Sequence, residues 1–355
     1  MDIATFTQIL EIAFEKRVSD IHFEVDNPPI FRARGHLIRS KLNTLTKKDT
    51  EFIAFAVMEQ NNRKLPEHLS EFDTSYTLTN VGRFRVSIFR QRGNIGLVMR
   101  VIPHHIGTFE ELNLPPVLGN IVKAPNGLIL VCGPTGNGKS TTLASMVRHV
   151  NDNFNYNVVT IEDPIEFIFH SNKSCIIQRE VGIDTESFGG ALKAAMRMDP
   201  DVIMVGEMRD LETIDACIKA AETGHLVLST LHTHNAASTI NRIVGNFPPQ
   251  AQENVRHRLA DILVATVSLR LVRGKSGETI LPALEVMYAT STIKACIRDG
   301  HLDDIEQHIE KGRDEYHMQT LDQHLIQLCR QDIITLDEAK RTSRSTDLER
   351  KLIYY

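Results

Sequence analysis

A chain of 355 residues is long enough for two ordinary domains and too long for one small core. With 42% apolar residues, 24% charged residues and a formal net charge of −5, its composition is that of a soluble globular protein, and the acidic balance weighs against nucleic acid as a partner. Five scattered cysteines (Cys132, Cys175, Cys217, Cys296 and Cys329) without a CxxC pair argue for reduced cytosolic thiols, against a disulfide frame or a zinc knuckle. No apolar run approaches the roughly 20 residues of a membrane span. The amino terminus MDIATFTQIL has neither a basic leader nor a cleavage site, so a cytoplasmic location is expected.

Along the chain, Phe6, Ile9, Leu10, Ala13 and Phe14 fall on one face of a helix predicted from Thr5 to Lys16. Ile21 to Val25 and Ile30 to Ile38 read as strands around an Asn-Pro-Pro turn. A second helix is predicted from Thr46, with Asp49 and Glu51 near its positive end. Strand patterns follow at Phe72 to Leu78, Arg83 to Arg92 and Gly96 to Ile102, which makes residues 1–102 an α+β domain. In the middle one, Phe84, Val86 and Ile88 share one face, and Arg83, Arg85 and Ser87 share the other. With Arg90 and Arg100 nearby, that face is either a solvated ion-pair lattice or a source of positive charge for phosphates.

Residues 103–116 carry Pro103, Gly107, Pro115 and Pro116 and read as a linker. From Gly127 the pattern changes to short, wholly apolar strands alternating with helices: Leu128 to Cys132, Val158 to Ile161, Val202 to Val205 and Leu226 to Thr230. Buried parallel strands have this character, so residues 117–290 are predicted to be an α/β domain, with Cys132 a small buried hydrophobe. Residues 291–355 read as a charged helical extension.

Gly133-Pro134-Thr135-Gly136-Asn137-Gly138-Lys139-Ser140 matches the phosphate-loop pattern GxxxxGK[ST], follows an apolar strand and opens a helix at Thr141. Glycines let backbone N–H groups curl around phosphates, and the helix amino end adds partial positive charge. The pattern predicts ATP with Mg²⁺, Lys139 reaching the β- and γ-phosphates and Ser140 ligating the metal. Three carboxylates, Glu162, Asp163 and Glu166, close the second strand, and Glu207 follows the third. His225 and His232 bracket the fourth strand. Because the carboxyl ends of such strands meet at one crevice, all these groups are expected beside the nucleotide. His234 makes a third nearby histidine, yet no cysteine or carboxylate at ligand spacing completes a metal site with them.

This set resembles the Walker A, Asp box, Walker B and His box of the secretion-ATPase superfamily that serves type II and type IV secretion and type IV pili. It is most similar to the pilus-retraction ATPases, the PilT/PilU family. Further matches are Ser19-Asp-Ile-His22, Gly82-Arg-Phe-Arg85, Gln178-Arg-Glu-Val-Gly-Ile-Asp-Thr-Glu-Ser-Phe188 and His317-Met-Gln-Thr-Leu-Asp322, spread over essentially the whole chain. The resemblance implies an α/β, RecA-like P-loop ATPase domain preceded by a smaller PAS-like α+β domain. By the same resemblance Glu162 polarises the attacking water, Glu207 helps hold Mg²⁺ or its water shell, and His232 senses the γ-phosphate with His225 also at the nucleotide. Arg83, Arg85 and Arg100 are the implied arginines that reach a nucleotide across a homohexamer. An inner-membrane pilus platform protein, and a second retraction ATPase, are the implied partners, with the ring peripheral to the inner membrane.

Two departures place the chain within this group. The four-cysteine zinc insertion of extension ATPases has no counterpart here. The Ala-Ile-Arg-Asn-Leu-Ile tail motif of the main retraction ATPases is met by Thr292-Ile-Lys-Ala-Cys-Ile297, where only apolar positions agree, so the chain looks closer to the accessory, PilU-like branch. The rival expectations are an effector-secretion ATPase, a nucleotide-gated scaffold with negligible turnover, and a DNA motor, which the acidic balance disfavours.

Overall fold

Helix α1 (Ile3–Glu15) buries the predicted stripe of Phe6, Ile9, Leu10 and Ala13, and the Asp2 carboxylate caps it by accepting from the Thr5 N–H at 2.8 Å. The computed structural model describes the chain except residues 17, 34, 62–70, 80, 103–104, 278, 346–347 and 355, and at 351, 353 and 354 it describes the backbone alone. Strands β1 (Asp20–Phe23), β2 (Ile30–Ala33) and β3 (His36–Arg39) come next. The single strand expected from Ile30 to Ile38 is therefore a hairpin. Gly35, at φ +82°, supplies the left-handed turn residue that folds the run back on itself.

Helix α2 (Lys47–Gln60) opens on a capping box between Thr46 and Asp49. Strands β4 (Glu71–Leu78), β5 (Gly82–Gln91) and β6 (Asn94–Ile102) complete an antiparallel sheet in the order β3-β2-β1-β6-β5-β4. One face of this sheet carries Phe84, Val86, Ile88, Leu97 and Met99 into a core shared with α1 and α2. Each such side chain contributes about 1.5–3 kcal/mol on burial.

The chain divides into two units, Met1–His105 with Pro164–Ile168, and Ile106–Asp163 with Phe169–Tyr355. The expected linker is thus part of the second unit from Ile106 onward. Leu114 is buried in its core, Phe109 stacks on His149 with ring centroids 5.0 Å apart, and the Arg148 guanidinium donates to the Ile106 carbonyl. Pro103 and His104 lie outside the described residues.

The second unit runs through α3 (Val117–Ile121), β7 (Gly127–Cys132), α4 (Lys139–Asn153), β8 (Asn157–Glu162), β9 (Cys175–Glu180), α5 (Phe188–Ala195), β10 (Val202–Val205), α6 (Leu211–Glu222) and β11 (Leu226–Leu231). It continues with α7 (Ala236–Gly245), α8 (Pro249–Ile262), β12 (Leu263–Arg273), β13 (Ile280–Tyr288) and α9 (Ser291–Asp299). The sheet order is β13-β12-β7-β11-β10-β8-β9, parallel throughout except for β13. Both faces of β7 are buried: Leu128, Leu130 and Cys132 enter one core, and Ile129 and Val131 the other. That double burial is why these strands read as unbroken apolar runs. Cys132 packs as expected, and burial pushes its thiol up to about 11.

The last elements are α10 (Ile305–Lys311), α11 (Arg313–Tyr316), α12 (Leu321–Arg330), α13 (Leu336–Thr342) and α14 (Leu348–Tyr354). Their apolar residues pack onto the second unit. Ile293, Ile297, Leu302, Ile305 and Ile309 are buried in the main core, while Leu321, Leu325 and Ile326 pack with Val272 and Ala283 of the β12–β13 pair. Among the described residues no helix is long and apolar enough to cross a membrane.

Candidate nucleotide site

Parallel register puts the carboxyl ends of β7, β8, β10 and β11 at one edge of the sheet. The phosphate loop leaves β7 there. Gly133, Gly136 and Gly138 hold φ values of +151°, +78° and +83°, which side chains rarely adopt. A Cβ on Gly133 would also stand 2.7 Å from the Leu269 carbonyl oxygen. Gly133→Ala is therefore expected to destabilise the protein by about 2 kcal/mol or more, seen as a lower midpoint in denaturant unfolding. Asn137 ties the loop to β12, its side-chain oxygen accepting from the Leu271 N–H at 2.8 Å. The first intrahelical bond of α4 runs from the Thr142 N–H to Gly138 O at 2.9 Å, so the N–H groups of Lys139, Ser140 and Thr141 precede the ladder and face the loop.

Lys139 is buried, and its Nζ donates to the Pro134 carbonyl at 3.1 Å and meets His232 Nδ1 at 3.4 Å. An ammonium only donates, so Nδ1 of His232 accepts and the ring proton sits on Nε2. Nε2 faces the Glu207 carboxylate at 3.4 Å, and Thr135 Oγ1 lies 3.3 Å from Nδ1. Glu207 is also paired with Arg209, whose guanidinium is pushed up by that bond. Lys139, His232, Glu207 and Arg209 thus form one chain across three strand ends. An anionic phosphate oxygen competes well with the Pro134 carbonyl for the Lys139 ammonium, because a bond between opposite charges is stronger.

Glu162 ends β8 beside Gly206, whose N–H donates to Ile161 O at 2.8 Å. Its carboxylate is buried, and Oε1 accepts from Thr160 Oγ1 at 2.7 Å and from Gln178 Nε2 at 3.0 Å. Gln178 is itself oriented, because its Oε1 takes the Phe169 N–H at 2.8 Å. A carboxylate held this way keeps its position while a water or phosphate approaches. Glu166 lies in the Pro164–Ile168 segment, which groups with the first unit.

His225 is not brought to this edge. It precedes β11, while His232 follows it, so the two imidazoles sit at opposite ends of a strand about 20 Å long. Its Nδ1 lies 2.9 Å from Ala220 O and 3.2 Å from Thr223 Oγ1, where it finishes the turn after α6. The expected grouping of all the histidines beside a nucleotide is corrected accordingly. His234 does lie just past β11, and its backbone carbonyl, not its ring, is the group held there, by Arg344.

In the first unit, Arg85 and Arg100 are direct cross-strand partners, and Arg100 faces Asp20 of β1. Arg100 Nε donates to Asp20 Oδ1 at 2.8 Å, Arg85 lies 3.9 Å from Asp73, and Arg83 Nη2 donates to Ser75 Oγ at 2.7 Å. The open face of this sheet is therefore an ion-paired lattice with net basic character. Sequence reasoning did not find Thr160, Gln178, Arg209, Glu285 or Arg344. Gln178 stood within a matched segment, and the rest carried no motif signal.

A family model described as type II/IV secretion system protein matches residues 3–350. The type IV pilus retraction ATPase PilT of Pseudomonas aeruginosa is 40% identical over 344 residues, covering 97% of this chain and 98% of that protein. The type IV pilus ATPase PilU of the same organism is 38% identical, over 94% of this chain and 87% of its own. A crystal structure of the pilus retraction motor PilT with bound ADP superposes with a TM-score of 0.90 at 42% identity, covering 99% of both chains.

Proposed function

The chain belongs to the type II/IV secretion system protein family, and on that premise we propose that it is the ATPase subunit of a ring motor that drives type IV pilus retraction. The observation that carries this reading is the run of contacts from Lys139 through His232 to Glu207 across three strand ends, within a chain that matches a retraction ATPase along nearly its full length. The phosphate loop binds the β- and γ-phosphates of ATP through the glycine backbone, the α4 amino end and Lys139. Glu162, oriented by Thr160 and Gln178, takes a proton from the attacking water. His232 moves from Lys139 to the terminal phosphate.

Mg²⁺ fits the donor set. Ser140 opens α4 and Glu207 follows β10 at the same edge, both offering hard oxygen donors. The cation supplies charge neutralisation between the phosphates when bound. Arg209 already holds Glu207 close to that edge. In a homohexamer, Arg83, Arg85 and Arg100 are the arginines positioned on one sheet face to reach phosphates, with Arg100 the most exposed at 67% of its side chain. The ring works at the cytoplasmic side of an inner-membrane platform protein.

Cells lacking the gene are expected to accumulate surface pili, and only a wild-type copy, not Lys139→Ala, is expected to clear them. Unchanged pilus numbers in the deletion would move the chain to an accessory role or to secretion of another cargo.

A further inference from the structure

Downstream of His232 the loop into α7 is gripped by two residues far away in sequence. Glu285 lies on β13, only 2% exposed. Its Oε1 accepts from the Ala236 N–H at 2.8 Å and from Ser268 Oγ at 3.2 Å. Oε2 accepts from Arg344 Nη1 at 3.1 Å. The other arm of that guanidinium, Nη2, donates to the carbonyl of His234. The pair therefore holds both sides of the peptide stretch that begins two residues after His232: the His234 carbonyl from one side and the first N–H of α7 from the other.

Arg344 is itself fixed from behind. Ser343 Oγ donates to Asp322 Oδ1 at 2.7 Å at the start of α12. Just before that helix, Gln319 exchanges backbone bonds with Val286, the neighbour of Glu285, at 2.8 and 3.1 Å. A buried carboxylate without a cation is strongly disfavoured, and burial does push the Glu285 carboxyl up while Arg344 opposes that shift. A lysine in place of Arg344 brings charge but not a planar fork, so it cannot hold carboxylate and carbonyl together in this geometry.

We propose that Arg344, acting through Glu285, is a positioning residue that sets the His232 loop for contact with the terminal phosphate. This rests on the reading that His232 faces the γ-phosphate. The carboxy-terminal segment thereby becomes part of the ATP-discriminating machinery.

The test is binding of fluorescent ADP and of a fluorescent, non-hydrolysable ATP analogue to the full-length protein, together with steady-state turnover. Arg344→Ala is expected to weaken the analogue and lower kcat by about tenfold each, within the usual range of coupling between sites, and to leave ADP affinity within about twofold. Arg344→Lys is expected to recover part of the analogue affinity. A purely structural role predicts a lower unfolding midpoint with analogue and ADP weakened together, and that result, or an unchanged ratio, overturns the proposal. If the alanine variant does not fold, Arg344→Lys carries the same comparison, with an unchanged ratio as the overturning result. His232→Ala separates the two layers. A ratio unmoved by His232→Ala overturns the reading of His232 and the proposal with it, while a ratio moved by His232→Ala but not by Arg344→Ala overturns the clamp alone.

Discussion

Lys139→Ala is expected to weaken ATP binding by about two orders of magnitude, on the order of 3 kcal/mol, because a buried phosphate charge loses its cation. The folded state without nucleotide has little to lose from the change. In it, the ammonium is buried beside the Pro134 carbonyl and the His232 ring, and burying a charge carries a cost that the variant no longer bears. The unfolding midpoint without ligand should therefore hold within a few degrees of wild type. ATP at about 100 times the wild-type Kd stabilises a protein by about 2.7 kcal/mol, and at the same concentration that rise should fall to about 0.4 kcal/mol in the variant. A Lys139→Ala protein that still gains the full ATP-dependent shift would remove Lys139 as the phosphate anchor.

Glu162→Gln is expected to keep ATP affinity within about threefold and to lose at least about a hundredfold in kcat, the scale of a missing general base. The glutamine carbonyl can still accept from Thr160 and Gln178, so the geometry of the strand end survives. What it lacks is the basicity to take a proton from water. Single-turnover phosphate release at saturating ATP separates the two quantities. Normal turnover in this variant would transfer the role of base elsewhere in the site, and a lost affinity would make Glu162 a binding group.

How much of this was legible depends on whether a signal was local. The phosphate loop is contiguous, so its strand, glycines, Lys139 and helix could be read together; the structure has the strand and the positive-φ glycines in that order, with the helix opening at Lys139, two residues before the Thr141 read from the sequence. Glu162, Glu207 and His232 were legible because each ends a short apolar run, and the register brings those ends to one edge. His225 was misread for a geometric reason: bracketing a strand puts two residues at opposite edges of the sheet, not at one. Strands β12 and β13 escaped notice because Arg270 and Arg273 in β12 and Pro282 in β13 break the apolar run expected of a buried strand. The tail read as a charged helical extension because its charges dominate its composition, while the residues that bind it to the core, such as Ile293 and Leu325, are spaced thinly along it. Nothing in the spacing of Glu285 and Arg344 announces that they meet. Only the tertiary fold brings a guanidinium from the tail to a carbonyl beside the His box.

The placement of β7 has a consequence for how the chain is made. This strand lies between β11 and β12, so its hydrogen-bonding neighbours begin at Leu226 and Leu263, long after Cys132 has left the ribosome. Until then an apolar strand with two unpaired edges is exposed, the state most prone to join the wrong partner. Contacts so distant in sequence close slowly, since loop entropy is spent before pairing returns anything. The phosphate loop hangs from that strand and leans on Leu271 through Asn137, so it takes its shape only once β12 has been synthesised. Nucleotide capture is therefore a late event in the biogenesis of this protein, and chains truncated before β12 should be short-lived, poorly soluble and unable to hold ATP.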